Sequence, residues 1–382
     1  MCRLNKAIYG LKQAPRAWHM TLRKKLLERG FVVAEGDPSL FVLWDKCGRC
    51  MAAIYVDDGV VAARDAAAAR RLVDIVASCF EIRRMGEPNM ILGMNVARDA
   101  AAGTITLSQE DAIAALLERY AEHMPRGEVT VPSQPGSAHQ LCSGGQELSA
   151  DVALLYPSLV GSLQHLANST RPDIAYAVGV LGRYSKQPRQ PHWDAALRVL
   201  RYLRGTQSRG ITYGGAKGLR VYCDADHAGC VDTRRSTTGA VTVLHGGAVD
   251  WSSTLQSTVA ASTCEAEYQA AGVVVRMALW LRKILTDLGL DAQGRAAVAG
   301  EQLQPIVVDC DNQGAIALLN NPASTQRSKH IDIIHHFARD RVQQGHVEFK
   351  YCPSAMNVSD CFTKSLGPTG FNSCLAGMGV GL

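Results

Sequence analysis

The pattern of apolar and polar residues changes along the chain and predicts regions of different structure. Residues 1–130 alternate between helix-like and strand-like stretches. Residues 131–150 are rich in Pro, Gly and Ser, which is typical of a linker. In residues 151–215 the apolar positions recur with helical spacing, which predicts a connection of two or three helices. In residues 216–370 strand-like runs come first and then alternate with helix-like runs.

The last of these regions predicts a mixed sheet. We expect three strands, a long helix, a strand, two helices and a closing strand over Leu219–Cys223, Ala240–Leu244, Ala248–Ser252, Thr263–Leu288, Pro305–Asp309, Asn312–Asn320, His330–Gln344 and Val347–Tyr351. A short helix is expected near Asp360. Strands in a meander, followed by strands that alternate with helices, indicate an α/β (α+β) layer in which helices flank the sheet.

Two stretches of the chain are strongly basic. Residues 1–30 hold eight Lys and Arg, among them Lys12 and Arg16, against one acid. A predicted amphipathic helix that ends near Gly205 carries Arg198 and Arg201 away from its apolar face. A solvated helix surface explains either stretch alone, but the two together favour a nucleic-acid partner, because Lys and Arg make most phosphate contacts.

Composition narrows the class of protein. The chain has 382 residues, of which 47% are hydrophobic, and this excludes a wholly disordered protein. No run approaches the roughly 18 apolar residues of a membrane span, and the N-terminal residues lack an apolar signal core, so we expect neither a membrane protein nor a secreted one. The 12 cysteines are irregularly spaced, which indicates reduced thiols and a cytoplasmic or nuclear location.

Carboxylates follow the predicted strands and begin the predicted helices of the last region. They are Asp224, Asp226, Glu265, Glu267, Asp309, Asp311 and Asp360. A carboxylate at the edge of a buried strand is costly to desolvate unless it binds a cation, and Mg²⁺ prefers oxygen ligands. Four such groups from four elements suit a two-metal phosphodiester hydrolase. Helix capping or turn formation is the alternative for each residue taken singly, most of all for Asp311 before Asn312.

Two shorter motifs are ambiguous. Asp57 and Asp58 lie at the tip of an apolar hairpin-like stretch, where adjacent like charges favour a shared cation. An ordinary Asp-Gly turn with Gly59 is the alternative. Cys47 and Cys50 have the spacing of a zinc half-site or a redox pair. Because no second Cys or His pair lies at a matching spacing, a hairpin turn with incidental thiols is the favoured interpretation.

Several long motifs occur in an order that resembles the Pol polyprotein of copia-type (Pseudoviridae) LTR retrotransposons. The segments that resemble the family's reverse transcriptase and the connection after it are Leu4–Trp18, Tyr55–Asp58, Phe80–Gly93, Tyr156–Tyr176 and His192–Thr206. The segments that resemble its ribonuclease H domain are Cys223–Gly229, Arg234–Gly239, Trp251–Ser253, Glu265–Tyr268, Cys310–Gln313 and Lys329–Asp332. The resemblance covers nearly the whole chain.

This resemblance implies a domain order and two sets of metal ligands. Residues 1–130 are expected to form a partial reverse-transcriptase palm and thumb, and residues 216–370 a ribonuclease H-like domain with a mixed five-stranded sheet. Two of three polymerase metal ligands are assigned to Asp57 and Asp58. The ribonuclease H tetrad, which is expected to hold two Mg²⁺ ions or Mn²⁺ in their place, is assigned to Asp224, Glu267, Asp311 and Asp360. Asp226 and Glu265 are the second choices within their pairs.

The activity implied by the resemblance is hydrolysis of RNA in RNA–DNA hybrids. We expect five residues in the basic stretches to contact nucleic acid, namely Lys12, Gln13, Arg16, Arg198 and Arg201. Gag or other Pol parts of the element are expected partners, in a cytoplasmic virus-like particle or in the nucleus. The alternative is a catalytically dead remnant that still binds nucleic acid.

Some features depart from the family pattern. The family's third polymerase Asp and its fingers precede the segment around Gly10, and the sequence starts nine residues before it. We therefore expect that Asp and the fingers to be absent and the polymerase half to be inactive, unless a separate fragment supplies them. His227, Cys264 and the stretch Asn357–Phe362 also differ from the family pattern. We expect these differences to affect packing and to bear on activity without removing a ligand.

Overall fold

The chain divides into two compact units. The computed structural model describes residues 7–8, 10–45, 48–137, 141, 145–215, 218–291, 294–297, 304–321 and 336–381. The first unit comprises Met1–Leu92, Trp280–Asp291 and Arg295–Glu301, and the second comprises Gly93–Leu279, Ala292–Gly294 and Gln302–Leu382. Among the helices described, none has the length and apolar character that crossing a membrane requires.

The first unit is built on an antiparallel sheet. Its elements are α1 (Ala14–Leu27), β1 (Val32–Val33), β2 (Leu40–Asp45), β3 (Gly48–Tyr55), β4 (Asp58–Ala63), α2 (Ala66–Ala77) and β5 (Met90–Ile91). Strands β1 to β4 pair in chain order. Leu26, Phe41 and Leu72 come from α1, β2 and α2, and their burial forms the core of this unit. Cys50 of the ambiguous thiol motif is buried in this core, and Cys47 lies outside the described residues.

The second unit begins with a helical layer. Its elements are β6 (Met94–Asp99), β7 (Thr104–Ser108), α3 (Glu110–Arg119), α4 (Ala150–Ser169), α5 (Ala175–Gly182), α6 (Gln190–Arg204) and β8 (Gly210–Tyr213). The predicted helices are thus α4 to α6, and the apolar face of α6 is buried through Trp193, Leu197 and Leu200. Strand β8 was not predicted. It pairs antiparallel with β7, with Thr212 opposite Thr106.

An ion pair lies inside this helical layer. Arg171 and Asp173 are wholly buried, and Arg171 Nη2 is 2.7 Å from Asp173 Oδ2. Tyr202 Oη of α6 donates to the same oxygen at 2.6 Å, and Arg171 Nη1 donates to the carbonyl oxygen of Thr206 at 2.8 Å. Because every partner is satisfied within the protein, the network ties the start of α5 to the end of α6.

The remainder of the second unit is the predicted mixed sheet. Its elements are β9 (Arg220–Ala225), β10 (Thr237–Leu244), β11 (Gly247–Leu255), α7 (Thr263–Asp287), β12 (Ile306–Cys310), α8 (Gln313–Asn320), α9 (His336–Gln343), β13 (Val347–Tyr351) and α10 (Pro368–Gly377). Of α7, the residues up to Leu279 belong to this unit. The strand order is β11-β10-β9-β12-β13. Neighbours among β9, β10 and β11 are antiparallel, whereas β12 is parallel to both β9 and β13. The predicted α/β (α+β) fold class is confirmed.

A segment near the end of the chain joins β8 to the sheet. Val380 forms a bridge with Ile211, and Thr212 N donates to the carbonyl oxygen of Gly379 at 2.9 Å. Ala248 N at the start of β11 donates to the carbonyl oxygen of Met378, also at 2.9 Å. Residues on both sides of the predicted boundary at 216 therefore share backbone hydrogen bonds.

Several element boundaries differ from prediction. Strand β9 runs on to Ala225, so Asp224 lies within the strand rather than after it. Strand β10 starts at Thr237 instead of Ala240, and the short helix near Asp360 is a 3₁₀ turn, Val358–Phe362. Helix α10 was not predicted. The motif Lys329–Asp332 and the first residues of the predicted helix His330–Gln344 lie outside the described residues, as do Leu4–Lys6 and Tyr9 of the first motif.

Candidate active site

Two parallel strands bring carboxylates to one end of the mixed sheet. Cys223 of β9 lies opposite Cys310 of β12, so the residues that follow them, Asp224 and Asp311, reach the same edge. Glu267 comes from the first turns of α7, and Asp360 from the 3₁₀ turn. Ligand atoms of Asp224, Asp311 and Asp360 all lie within 4.8 Å of one another. Those of Glu267, Cys310 and Asp311 form a second such group. Asp311 belongs to both groups.

The 3₁₀ turn reaches Asp224 because two hydrogen bonds hold it on the sheet and Gly239 leaves room for it. Asn357 Nδ2 donates to the carbonyl oxygen of Cys223 at 3.0 Å, and Ser253 Oγ of β11 donates to that of Phe362 at 2.6 Å. Gly239 lies opposite Asp224 in β10, and a Cβ there would sit 2.8 Å from the carbonyl oxygen of Ser359. The turn can therefore approach β10 only because residue 239 has no side chain.

Burial and mutual repulsion disfavour the charged form of these carboxyls. Asp224 and Glu267 are 3% and 5% exposed. Burial raises the pKa of Asp224; burial, together with the charge of Asp224, raises the pKa of Glu267 to about 10 and that of Asp360 to about 7. Glu267 Oε2 has no hydrogen-bond partner among the described residues. Such a cluster is electrostatically unfavourable without cations, as expected of a metal site.

A lysine and a threonine beside the cluster were missed by sequence reasoning. Lys364 Nζ lies 3.1 Å from Asp360 Oδ1 and 3.9 Å from Asp224 Oδ2, and Thr363 Oγ1 donates to Asp224 Oδ2. Burial alone would lower the pKa of Lys364, but the charges of Asp224 and Asp360 outweigh burial and raise it. The spacing of Lys364 four residues after Asp360 was the available signal.

The second-choice carboxylates have structural partners. Asp226 Oδ1 accepts from Thr237 N at 2.6 Å and closes the loop between β9 and β10. Glu265 Oε2 accepts from Ala261 N at 2.8 Å at the start of α7. The cap of α8 is Asn312, whose Oδ1 accepts from Ala315 N, so Asp311 does not fill the capping role. Instead Asp311 Oδ2 accepts from Ser354 Oγ at 2.6 Å.

Asp309 is also accounted for by a structural partner. It is buried at 4% exposure, and its Oδ2 accepts from Arg220 Nε at 2.9 Å. Because side chains alternate along a strand, Asp309 lies on the opposite face of β12 from Cys310, and it belongs to neither group of ligand atoms. Of the seven carboxylates singled out in the sequence, the structure thus brings together Asp224, Glu267, Asp311 and Asp360.

Asp57 and Asp58 lie in the first unit, at the hairpin between β3 and β4. The two-residue turn is Val56–Asp57, because Tyr55 pairs with Asp58 across the ladder. A turn formed by Asp58 and Gly59 is therefore wrong, because both residues lie in β4. Val56 has φ +53°, and its carbonyl oxygen accepts from Trp18 Nε1 at 2.6 Å, which holds the turn against α1. Both carboxylates are exposed, and among the described residues no third metal-ligating side chain joins them in one group.

The predicted nucleic-acid contacts differ in exposure. Lys12, Gln13 and Arg16 are exposed at the start of α1. Arg198 and Arg201 on α6 are half-buried, and Arg201 Nε donates to the carbonyl oxygen of Gly127 at 3.1 Å. Burial, followed by the charge of Arg201, lowers the pKa of Arg198. The first group is open to a phosphate backbone, whereas Arg201 also supports a loop.

Known proteins resemble this chain along its whole length. The family described as reverse transcriptase (RNA-dependent DNA polymerase) matches residues 1–132. The Pol polyprotein from transposon TNT 1-94 of Nicotiana tabacum is 35% identical over 99% of this chain and 28% of its own length. That from transposon RE1 of Arabidopsis thaliana is 36% identical over all of this chain and 25% of its own length. The chain thus spans about a quarter of the length of these relatives.

A shorter relative is matched over most of its own length. The putative transposon Ty5-1 protein of Saccharomyces cerevisiae is 35% identical over 70% of this chain and 86% of its own. Among solved structures, a ribonuclease H1 from Halobacterium salinarum is 18% identical, with a TM-score of 0.24, over 37% of this chain and 89% of its own.

The sequence matches define a retrotransposon protein that contains a reverse-transcriptase region. The chain belongs to the family of copia-type retrotransposon Pol polyproteins.

The unpartnered oxygen of Glu267 leads to a stability prediction. In a chelating buffer, Glu267→Gln is expected to be more stable than the wild type, by a margin that grows as pH rises from 4.5 toward 10. Folding raises the pKa of Glu267, so the free energy of unfolding of the wild type falls as pH rises through this window. The variant does not show this fall, because Gln has no proton to lose. Thermal unfolding across pH measures the margin. A margin that does not change with pH would contradict this prediction.

Proposed function

We propose that the chain hydrolyses the RNA strand of RNA–DNA hybrids at the cluster of Asp224, Glu267, Asp311 and Asp360. The observation that carries the proposal is the meeting of four carboxylates from four elements, with Asp311 common to two groups whose ligand atoms lie within 4.8 Å. Two neighbouring ion positions that share one carboxylate are what two-metal phosphodiester hydrolysis requires. We propose Mg²⁺ as the ion, with Mn²⁺ able to replace it.

The donor set fits divalent ions. Glu267 Oε2 is buried without a hydrogen-bond partner among the described residues, and three of the carboxyls have raised pKa values. A cation in their midst would remove both costs. When bound, such ions supply a nucleophile from water and stabilise the charge on the phosphate.

The protein's own residues hold the cluster in position. Thr363 donates to Asp224, Ser354 donates to Asp311, and Lys364 lies between Asp360 and Asp224. These partners leave the second oxygen of Asp311 and one oxygen of Glu267 for ligands. Lys364 supplies positive charge near two carboxylates, which reduces their repulsion before any ion binds.

Recognition of the hybrid is proposed to rest on shape and phosphates. The exposed Lys12, Gln13 and Arg16 and the half-buried Arg198 and Arg201 are the proposed phosphate contacts. The 2′-hydroxyls of the RNA strand would then distinguish a hybrid from duplex DNA, with little reading of bases. Gag and the other Pol parts of the element are the proposed partners in the cell.

The purified chain is expected to cut the labelled RNA strand of a hybrid in the presence of Mg²⁺. Duplex DNA of the same sequence is expected to remain intact, because it lacks the 2′-hydroxyls, and a chelator is expected to stop the reaction. Gel analysis of the labelled strand measures the products. Salt-sensitive binding without product, in Mg²⁺ and in Mn²⁺, would instead support the alternative of a catalytically dead nucleic-acid-binding remnant.

We further propose that this chain alone does not extend a primer. Asp57 and Asp58 are exposed, and no third ligand joins them in the described part of the chain. A polymerase centre that lacks a shared carboxylate does not hold both ions. With a primed RNA template and all four deoxynucleotides, the primer is therefore expected to keep its length. Extension by the chain that is lost in Asp57→Asn would overturn this proposal.

A further inference from the structure

A thiol lies among the proposed magnesium ligands. Cys310 is the last residue of β12 and is 1% exposed, and its Sγ lies within 4.8 Å of a carboxylate oxygen of Glu267 and one of Asp311. A magnesium site does not need the Cys310 thiol, because Mg²⁺ binds oxygen ligands whereas thiolates bind softer metals. Two carboxylates and one cysteine are instead a set that Zn²⁺ binds, with a fourth position open to water.

An independent observation points to a cation in this group. Only 5% of the surface of Glu267 is exposed, and its Oε2 has no hydrogen-bond partner among the described residues. A buried carboxylate oxygen without a partner is costly unless a cation or a proton neutralises it. Asp311 is only half-buried, so an ion can reach the group from solvent on that side.

The neighbouring thiols do not share this position. Cys223 is paired with Cys310 across β9 and β12 and is wholly buried, but the group of ligand atoms within 4.8 Å does not include it. Cys264, in the first turn of α7, is half-buried and is likewise not a member of that group. Cys310 is thus the one thiol that the geometry places with Glu267 and Asp311 among the described residues.

We propose that Glu267, Cys310 and Asp311 form a site for Zn²⁺. The Cys310 thiol releases one proton to water as the zinc–sulfur bond forms, and the two carboxylates supply oxygen ligands. Because Glu267 and Asp311 both belong to the proposed magnesium centre, zinc bound here competes for two of its four carboxylates. Zinc is therefore an inhibitor of the proposed hydrolysis, a consequence that rests on the proposed function.

The binding test needs no nucleic acid. The affinity of the full chain for Zn²⁺ is measured by competition with a chromogenic chelator, for the wild type, Cys310→Ser and Cys264→Ser. Cys310→Ser is expected to weaken zinc binding at least about tenfold, since even the loss of a residue that only hydrogen-bonds to a metal ligand costs about 10–100-fold. Cys264→Ser is the matched thiol control and is expected to bind zinc as the wild type does. Calorimetry is expected to show little change in Mg²⁺ affinity in Cys310→Ser, because Mg²⁺ does not use the thiol.

A second measurement locates the ion in the wild-type protein. In crystals soaked with Zn²⁺, anomalous scattering at the zinc edge is expected to give a peak within bonding distance of Cys310 Sγ, about 2.3 Å for zinc–sulfur. A peak elsewhere, or a Cys310→Ser variant that binds zinc as tightly as the wild type, would overturn the proposal. A chain that binds zinc at Cys310 but cuts no hybrid would leave the zinc site standing and remove the proposed function.

Discussion

Asp311→Asn is expected to abolish Mg²⁺-dependent cleavage of the hybrid, with the rate falling about 10³-fold or more. Asp311 is the one carboxylate common to both ligand groups, so its loss weakens both proposed ion positions together. Metal ions contribute several kcal/mol of transition-state stabilisation, and each 1.36 kcal/mol is about tenfold in rate. The measurement is the rate of product formation at saturating enzyme.

The control for this variant is Glu265→Gln. Glu265 belongs to the same family motif as Glu267 but accepts from Ala261 N, and the Gln amide oxygen keeps that hydrogen bond. Its cleavage rate is expected to match that of the wild type. The fold of Asp311→Asn is expected to persist, because the Asn side chain still accepts from Ser354. If the folded variant cleaved at a rate close to the wild-type rate, hydrolysis would have to occur elsewhere.

Asp173→Ala is expected to lower the free energy of unfolding of the second unit by about 3–5 kcal/mol, because it leaves a buried guanidinium without its counter-ion. Arg171 and Asp173 are both fully buried, and Tyr202 would also lose its acceptor. Urea unfolding followed by far-UV circular dichroism measures the change. Asp194→Ala, at an exposed position on α6, is the control and is expected to change stability by less than about 0.5 kcal/mol.

The same pair gives the sign of a pH effect. Burial alone would raise the pKa of Asp173, but the charge of Arg171 outweighs it and holds the pKa below 3.8. Asp173 therefore contributes its stability fully above pH 3.8 and loses it as the pH falls further. If Asp173→Ala were as stable as the wild type at neutral pH, the predicted contribution of the Arg171–Asp173 pair to stability would be wrong.

The strands of the mixed sheet were predictable where apolar alternation is unbroken. Strand β13 spans Val347–Tyr351 as predicted, and α7 begins at Thr263 as predicted. Strand β10 begins earlier than predicted, because Thr237 and Thr238 are polar by type yet 1% and 2% exposed. A prediction from the apolar pattern places polar residues at the surface. The predicted strand is therefore too short where its polar end is buried under other elements. Strand β8 has four residues, too few for a pattern.

The choice between neighbouring carboxylates was not available from local pattern. Asp224 and Asp226 are two positions apart and fall on the same face of an extended chain. They are separated only by a contact with Thr237, which is distant in sequence. Likewise, only the three-dimensional fold places the Cys310 thiol in one group with Glu267. The family resemblance made the choice that periodicity could not, and the roles it implies stay predictions.

The segment that joins β8 to the sheet has a consequence for how the second unit folds. Ile211 and Val380 pair across 169 positions of chain, and the loop between them contains the whole mixed sheet. Closing so long a loop is entropically costly, and contacts of this kind slow folding. We therefore expect the bridge to form after the sheet that it encloses. Helical layer and mixed sheet are then expected to unfold as one cooperative body rather than as two autonomous modules separated at residue 216.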